Sequence, residues 1–301
     1  TWAGLPEAWR ASQTPARPVS SAVATGEPVR VVWLGHATLF VRIGELRILT
    51  DPQFSDRASP FSSFGGARRL HPVPEEARHL GHIDVVLISH NHYDHLDLQT
   101  VRSLAAQPGG SPLFLVPLGV DTWMRDQGID RVQAMDWWQA QDVGGAAFAL
   151  VPDHHWSGRG LFDRNRTLWG GWVVQHPDLR FYFAGDTAWS DDIAEIARRY
   201  APFDLAALPV GAYEPRWFMV NSHANPHEAV RMHQTLGSPL SLGIHWGTFQ
   251  LTDEAYDDPV RDLVTALDQA GVALERFRLF VPGQGLDIPS RRRSGSLAQG
   301  D

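Results

Sequence analysis

Residues 89–97 read SHNHYDHLD and place His90, His92, Asp94 and His95 within six positions. Imidazoles and carboxylates crowded this closely are costly to bury unless something positive binds them. The segment follows IDVVLIS, a continuously apolar run of the kind that forms a buried strand. It precedes DLQTVRSLAAQ, which reads as a helix with Asp97 as its N-cap. A chain built around this stretch must deliver four ionisable side chains at a strand end and bring other groups to meet them.

In locally extended chain His90 and His92 project to the same side. Asp94 and His95 follow once the chain turns and face a second point, so one segment can feed two adjacent metal ions. Four donors do not complete two such sites. Three lone residues just past apolar runs are candidates for the remainder: His155 after AAFALVP, Asp186 after RFYFAG, and His245 at the end of LSLGI. Singly, a histidine after a strand is more often a hydrogen-bonded structural residue. The H-x-H-x-D-H pattern is what makes these three candidate partners. A carboxylate has two oxygens, so Asp186 can bridge two cations. The all-nitrogen-and-oxygen donor set suits zinc and would also accept manganese or iron.

Composition narrows the chemistry. There is no cysteine, which removes disulfides, thiol nucleophiles and thiolate ligands. The basic residues are all arginine, which excludes a Schiff-base lysine and a P-loop lysine. A formal net charge of -8 disfavours nucleic acid as a partner. No apolar run approaches the length of a membrane span. The protein is expected to be soluble or peripheral to a membrane, in the cytoplasm or periplasm of a bacterium.

Strand signals appear at VRVVWLG, TLFVRIG, LRILTD, IDVVLIS, PLFLVP, AAFALVP, LWGGWVVQ, RFYFAGD, FDLAALPVG, LSLGIHWG and RFRLFVPG. Helical stretches (GVDTWMRDQG, DDIAEIARRY, PHEAVRMHQTLG and PVRDLVTALDQAG) are interspersed irregularly. This mixture fits a layered α/β (α+β) domain better than a doubly wound fold. Residues 1–28 are expected to form an extended arm with one helical turn around Pro6 to Trp9, residues 29–288 a single body, and residues 289–301 a disordered tail.

HNHYDH carries the H-x-H-x-D-H signature of the metallo-β-lactamase superfamily. With WLGHAT, ILTDPQFSDRASP, HHWSGRG, LWGGWVV, FYFAGDTAW, FDLAALPVGAYEPRWFM, HANPHEAVRMH and IHWGTF, in order from about residue 33 to 249, the chain resembles the N-acylphosphatidylethanolamine-hydrolysing phospholipase D family. The resemblance implies an αββα sandwich, two mixed sheets flanked by helices, with two zinc ions at one edge. It assigns His90, His92 and His155 to one zinc, Asp94, His95 and His245 to the other, and Asp186 to both.

The resemblance further implies a phosphodiesterase that cleaves N-acylphosphatidylethanolamine-like phospholipids with a hydroxide shared by the metals. Zinc-dependent hydrolysis of lactones or β-lactams is the alternative on this scaffold, and non-catalytic metal binding is a second. Its partners are then a phospholipid or other small-molecule ester, a membrane surface touched peripherally, and a second copy in a homodimer. Asp94 and Asp186 belong to the reacting centre. His223, in NSHANPH, matches a histidine near the family's metal site and is assigned phosphate contact or leaving-group protonation. Tyr93, Trp156 and Tyr213 are candidate substrate contacts. His36 and Asp51 are read as supports for ligands. His154 is expected to face away from the site. Trp137 and Trp138 are placed in a loop near the site mouth, with core filling as the alternative.

Overall fold

The computed structural model describes residues 5–12, 29–61 and 64–290. In chain order the strands are β1 (Val29–Gly35), β2 (Thr38–Ile43), β3 (Leu46–Thr50), a small hairpin of β4 (Arg57–Ala58) and β5 (Ala67–Arg68), β6 (Val85–Leu87), β7 (Leu113–Pro117) and β8 (Val132–Met135). They continue as β9 (Ala140–Val143), β10 (Ala146–Val151), β11 (Gly171–His176), β12 (Leu179–Phe183), β13 (Leu205–Pro209), β14 (Ser241–Ile244), β15 (Phe277–Arg278) and β16 (Gly285–Ile288). The helices are α1 (Glu7–Ser12), α2 (Leu98–Ala105), α3 (Val120–Asp126), α4 (Asp191–Tyr200), α5 (Arg216–Met219), α6 (Pro226–Leu236) and α7 (Asp258–Gln269).

Two seven-stranded mixed sheets result, ordered β16-β1-β2-β3-β6-β7-β8 and β15-β14-β13-β12-β11-β10-β9. Side chains alternate across a strand, and β1 shows how that alternation builds layers. Val31 and Trp33 enter one core with Phe148, Trp172, Val174 and Phe181 of the second sheet. Val32 and Leu34 enter a separate core with Val101 of α2 and with Val120 and Met124 of α3. Ile193 and Ile196 of α4, Val230 of α6 and Leu263 of α7 cover the other side of the second sheet. The order is helix, sheet, sheet, helix, the αββα sandwich expected.

Local signals set the helix ends. Asp97 accepts a hydrogen bond from the Gln99 N–H at the start of α2. Asn225 and Glu228 form a reciprocal capping box at the start of α6, where Pro226 is the first helical residue. In α4 acidic Asp191 and Asp192 lead and basic Arg198 and Arg199 follow, as the helix dipole favours.

Strand direction positions the site. β1, β3 and β6 run the same way in the first sheet. β10, β12, β13 and β14 run the same way in the second. Their carboxyl ends gather along one edge of the sandwich.

Several elements differ from the sequence reading. β4, β5, β8, β9, β16 and α5 had no counterpart there, and RFRLFVPG yields only the two residues of β15. In β9 every residue is at least partly exposed, so no apolar run marks it. The helical turn near Trp9 is α1, held by buried Leu5 and Trp9, with Trp9 Nε1 donating to the Leu279 carbonyl at 3.2 Å. The expected arm over residues 13–28 and the tail from residue 291 lie outside the described residues. Trp137 and Trp138 are not at a cleft mouth. They pack against the inter-sheet core, and Arg199 stacks on Trp138 at 3.8 Å.

Phe148→Ala, which empties a fully buried position between the sheets, is expected to lower stability by about 3–5 kcal/mol. Phe61→Ala, at a side chain 50% exposed, is expected to change it by no more than about 0.5 kcal/mol. Urea unfolding of both variants measures the contrast, and equal losses would contradict this core.

Candidate metal centre

Each candidate donor lies just past the carboxyl end of a strand. His36 follows β1, Asp51 follows β3, residues 89–95 follow β6, His155 follows β10, Asp186 follows β12 and His245 follows β14. Ligands commonly bind beyond such strand ends in layered sheets. The chain reverses there sharply enough that His36 (φ 53), Asp51 (φ 32) and His245 (φ 61) adopt left-handed backbone, which is uncommon without glycine. Gly185 (φ +63) precedes Asp186, and a Cβ there would stand 2.6 Å from Ser89 Cβ. Glycine therefore lets the loop after β12 close on the loop after β6 and set Asp186 among the histidines.

The donors fall into two sets. In the first, His90 Nε2 stands 2.7 Å from His92 Nδ1, and His155 Nε2 stands 3.3 Å from the same atom. Asp186 Oδ2 lies 3.8 Å from His90 Nε2 and 3.7 Å from His155 Nε2. In the second, Asp94 Oδ2 is 3.3 Å from both His95 Nε2 and His245 Nε2. Asp186 reaches this set too, at 3.1 Å from His95 Nε2 and from His245 Nε2. Donors bound tetrahedrally at about 2.0–2.1 Å stand roughly 3.3–3.4 Å apart. The second set has that spacing within a few tenths of an ångström; in the first, His155 to His92 matches it, His90 to His92 is closer, and Asp186 stands within 3.8 Å of both sets. His95 Nε2 and Asp186 Oδ1, which face the shared space, are buried without a hydrogen-bond partner. These residues fit a bound cation.

Neighbouring groups turn the imidazoles the right way. Ser222 O accepts from His155 Nδ1 at 2.9 Å, which leaves Nε2 bare. Asp51 Oδ2 accepts from His95 Nδ1 at 2.7 Å with the same effect. Ser89 Oγ donates to Asp51 at 2.5 Å and can accept from His90 Nδ1 at 2.9 Å. His36 Nε2 donates to Asp94 Oδ2 at 2.8 Å. Such outer partners fix tautomer and ring orientation in metal sites. His36 and Asp51 thus sit where the sequence reading put them, behind the donors, while Ser89 and Ser222 carried no signal there.

Burial holds most of the rings neutral. It lowers His92 to about 4 and His155 and His223 to about 3, despite the attraction of nearby carboxylates. It drives His90 well below its usual range, helped by His95 and His92. His95 and His245 behave oppositely. Burial opposes their charge, but Asp186 and Asp94 outweigh it and raise His95 well above the ordinary value and His245 to about 9.

His92, Asp94, His155, Asp186 and His245 form the floor of a cleft of about 380 Å³ whose wall includes Trp156, Arg164, Phe218, Met219, His223 and Leu251. A larger groove of about 590 Å³, between Arg78 and α2, contains none of them. His223 is buried, its ring 4.9 Å from that of His155 and 5.2 Å from that of His245, with Nδ1 unpartnered. The Trp156 ring lies 4.2 Å from His92, under the Arg164 guanidinium. The other two candidate substrate contacts are turned away. Tyr213 is buried with its hydroxyl on Asp262 of α7 at 2.6 Å, and the Tyr93 hydroxyl donates to the Arg159 carbonyl at 2.8 Å. Neither is part of the cleft wall. His154 points outward, as expected. Arg164 and Leu251 come from segments with no signal of a cleft, and Phe218 and Met219 from the FDLAALPVGAYEPRWFM stretch, in which only Tyr213 is a sequence candidate.

The sandwich and its edge cluster define a metal-dependent hydrolase of the two-sheet class. A family profile described as "Beta-lactamase superfamily domain" matches residues 46–246. An uncharacterized protein of Mycobacterium tuberculosis is 42% identical over 262 residues, which span 85% of this chain and 68% of that one. N-acyl-phosphatidylethanolamine-hydrolyzing phospholipase D 1 of Caenorhabditis elegans is 41% identical over 247 residues, spanning 78% of this chain and 69% of that protein. Igni18, a metallo hydrolase of Ignicoccus hospitalis, shares the fold with a TM-score of 0.62 at 19% identity, over 86% of this chain and 97% of its own. The chain belongs to the beta-lactamase superfamily and, within it, to the family of N-acyl-phosphatidylethanolamine-hydrolysing phospholipases D.

The raised His245 gives a pH signature. A folded pKa above the unfolded value of 6.5 stabilises the fold below that pH, and the contribution is lost as pH rises through about 9. Metal-free protein is therefore expected to lose thermal stability across this interval. Metal-loaded protein, where a cation replaces the proton, is expected to lose much less. Melting curves with and without chelator test this, and parallel trends would contradict it.

Proposed function

We propose that the protein is a dinuclear zinc phosphodiesterase of the phospholipase D type, acting on N-acylphosphatidylethanolamine-like phospholipids. The observation that carries this reading is two donor sets meeting around Asp186, whose oxygens stand 3.1–3.8 Å from His90, His95, His155 and His245, at the floor of a cleft with an apolar mouth. His90, His92 and His155 would hold one zinc, Asp94, His95 and His245 the other, with Asp186 between them. When bound, the two cations supply a water of lowered pKa and positive charge facing the phosphoryl oxygens. The relative from Caenorhabditis elegans, named for hydrolysis of this lipid, supports the substrate class.

The residues of this chain supply the rest. His223 is neutral near pH 7 because burial holds it at about 3. It faces the cleft, so its N–H can donate to a phosphoryl oxygen. It can also accept the proton that the attacking water loses and pass it to the departing alcohol. The bond broken is the one from phosphorus to the N-acylethanolamine oxygen, and phosphatidate remains.

The mouth of the cleft suits a lipid surface. Trp217 (81% exposed) and Phe218 (66%) meet edge to face, ring centroids 5.7 Å apart, beside it. Leu161 (92%) and Phe162 (86%) crown the loop that carries Arg164. Large apolar side chains this exposed mark interaction sites. No helix among the described residues is long and apolar enough to cross a membrane, so the lipid contact proposed is a surface one, with the cation of Arg164 near the phosphate level.

Treatment with a chelator is expected to abolish release of N-acylethanolamine from vesicles, and zinc to restore it. Full turnover by metal-free protein, or turnover of lactone and β-lactam probes without any phosphodiester, would sink the reading. His223→Ala is expected to keep its metal and lose roughly 10²–10⁴-fold in kcat on bis-nitrophenyl phosphate; an unchanged kcat would end the assignment. Phe162→Ser with Trp217→Ser is expected to lower the fraction of protein that floats with liposomes, and undiminished flotation would remove the lipid-facing rim.

A further inference from the structure

Arg159 lies outside the donor sets yet touches the donor loop at both ends. Its Nη1 donates to the carbonyl of Asn91 at 2.7 Å and to that of Leu96 at 2.8 Å. Asn91 separates His90 from His92, and Leu96 follows His95, so one guanidinium closes the turn that bears four donors. The group is fixed on its flat faces as well. Its carbon lies 4.1 Å from the Tyr93 ring centroid and 4.5 Å from that of Trp123 in α3. Two further bonds tie the loops together. The Tyr93 hydroxyl donates to Arg159 O at 2.8 Å, and the Gly158 N–H donates to Asn91 Oδ1 at 2.7 Å. Buried backbone carbonyls need a donor, and no other hydrogen bond to the Asn91 and Leu96 carbonyls is seen among the described residues.

We infer that Arg159 is a positioning residue for the H-x-H-x-D-H loop: by fixing the peptides at Asn91 and Leu96 it sets the spacing of His90, His92, Asp94 and His95, and with it the affinity and geometry of the cations they hold. The inference rests on reading those side chains as metal ligands. Donors in a metal site work only when held to within about 0.5 Å, by neighbours that are themselves locked. Arg159 is locked by two hydrogen bonds and two aromatic faces. Lysine could supply the charge and, from its one nitrogen, both bonds, but it has no plane to lie against Tyr93 and Trp123. This also explains why Tyr93, inside the motif, faces away from the cleft: its ring is one wall of the guanidinium slot.

The test compares Arg159→Gln and Arg159→Lys with Arg166→Gln, which changes an exposed arginine on the same loop. Zinc affinity is measured by competition with a chromophoric chelator. Ligand geometry is followed through the visible absorption of protein loaded with cobalt(II). Arg159→Gln is expected to bind zinc about 10–100-fold more weakly and to shift the cobalt bands. Arg159→Lys is expected to fall between it and the unaltered protein, and Arg166→Gln to match the unaltered protein. If Arg159→Gln does not fold, the lysine variant carries the comparison. A lower melting temperature with unchanged zinc affinity and cobalt bands would overturn the inference, since Arg159 would then only stabilise the fold. Unaltered protein that bound neither metal would instead remove the ligand reading beneath it.

Discussion

A carboxylate buried among imidazoles is the point on which this structure turns. Asp186 is 2% exposed, and its two oxygens lie between 3.1 and 3.8 Å from nitrogens of four histidines. Burial alone would push such a group towards its neutral form. His245, His95 and His223 reverse that and hold it well below the usual carboxylate range. An anion at this depth is tolerable only with positive charge on several sides, and the residues that provide room for that charge come from both sheets. The two halves of the sandwich are therefore joined by electrostatics at the edge as well as by apolar packing in the middle.

Outward from Asp186 the site is a series of oriented rings. Asp51 aims His95, Ser89 links Asp51 to His90, the Ser222 carbonyl aims His155, and His36 braces Asp94. Each partner arrives from a different strand end or loop, so the sandwich acts as a jig that sets ring directions before any ligand binds. Above this polar floor the cleft changes character within one side-chain length, from His92 and His155 to Trp156, Phe218 and Leu251.

The donor set was readable because its signals are local or punctuated. HNHYDH is contiguous, and His155, Asp186 and His245 each interrupt the chain just after an apolar run. What sequence could not supply was direction. Tyr213 sits in a stretch shared with phospholipase D relatives, yet its hydroxyl is claimed by Asp262 in α7, 49 residues further on. Trp137 and Trp138 look like rim residues in a polar segment but pack against the core, where the Trp138 N–H donates to the Leu150 carbonyl of β10. The edge strands β8, β9 and β16 went unseen because half-exposed pairing leaves no apolar run to detect. Arg159 resembles every other arginine of the chain until the coordinates show which carbonyls it meets.

The pairing of β16 with β1 has a consequence for how the molecule is made. Val29 lies opposite Ile288 and Val32 opposite Gly285, so one border of the first sheet stays open until nearly all of the body has been synthesised. Contacts this distant in sequence close slowly. During that delay the emerging chain already displays the histidine-rich turn, while His245 has yet to leave the ribosome. A cation captured then would meet an incomplete and weak set of donors. The donor cluster is complete only once the chain beyond β14 has emerged, so the site is among the last parts of the body to assemble.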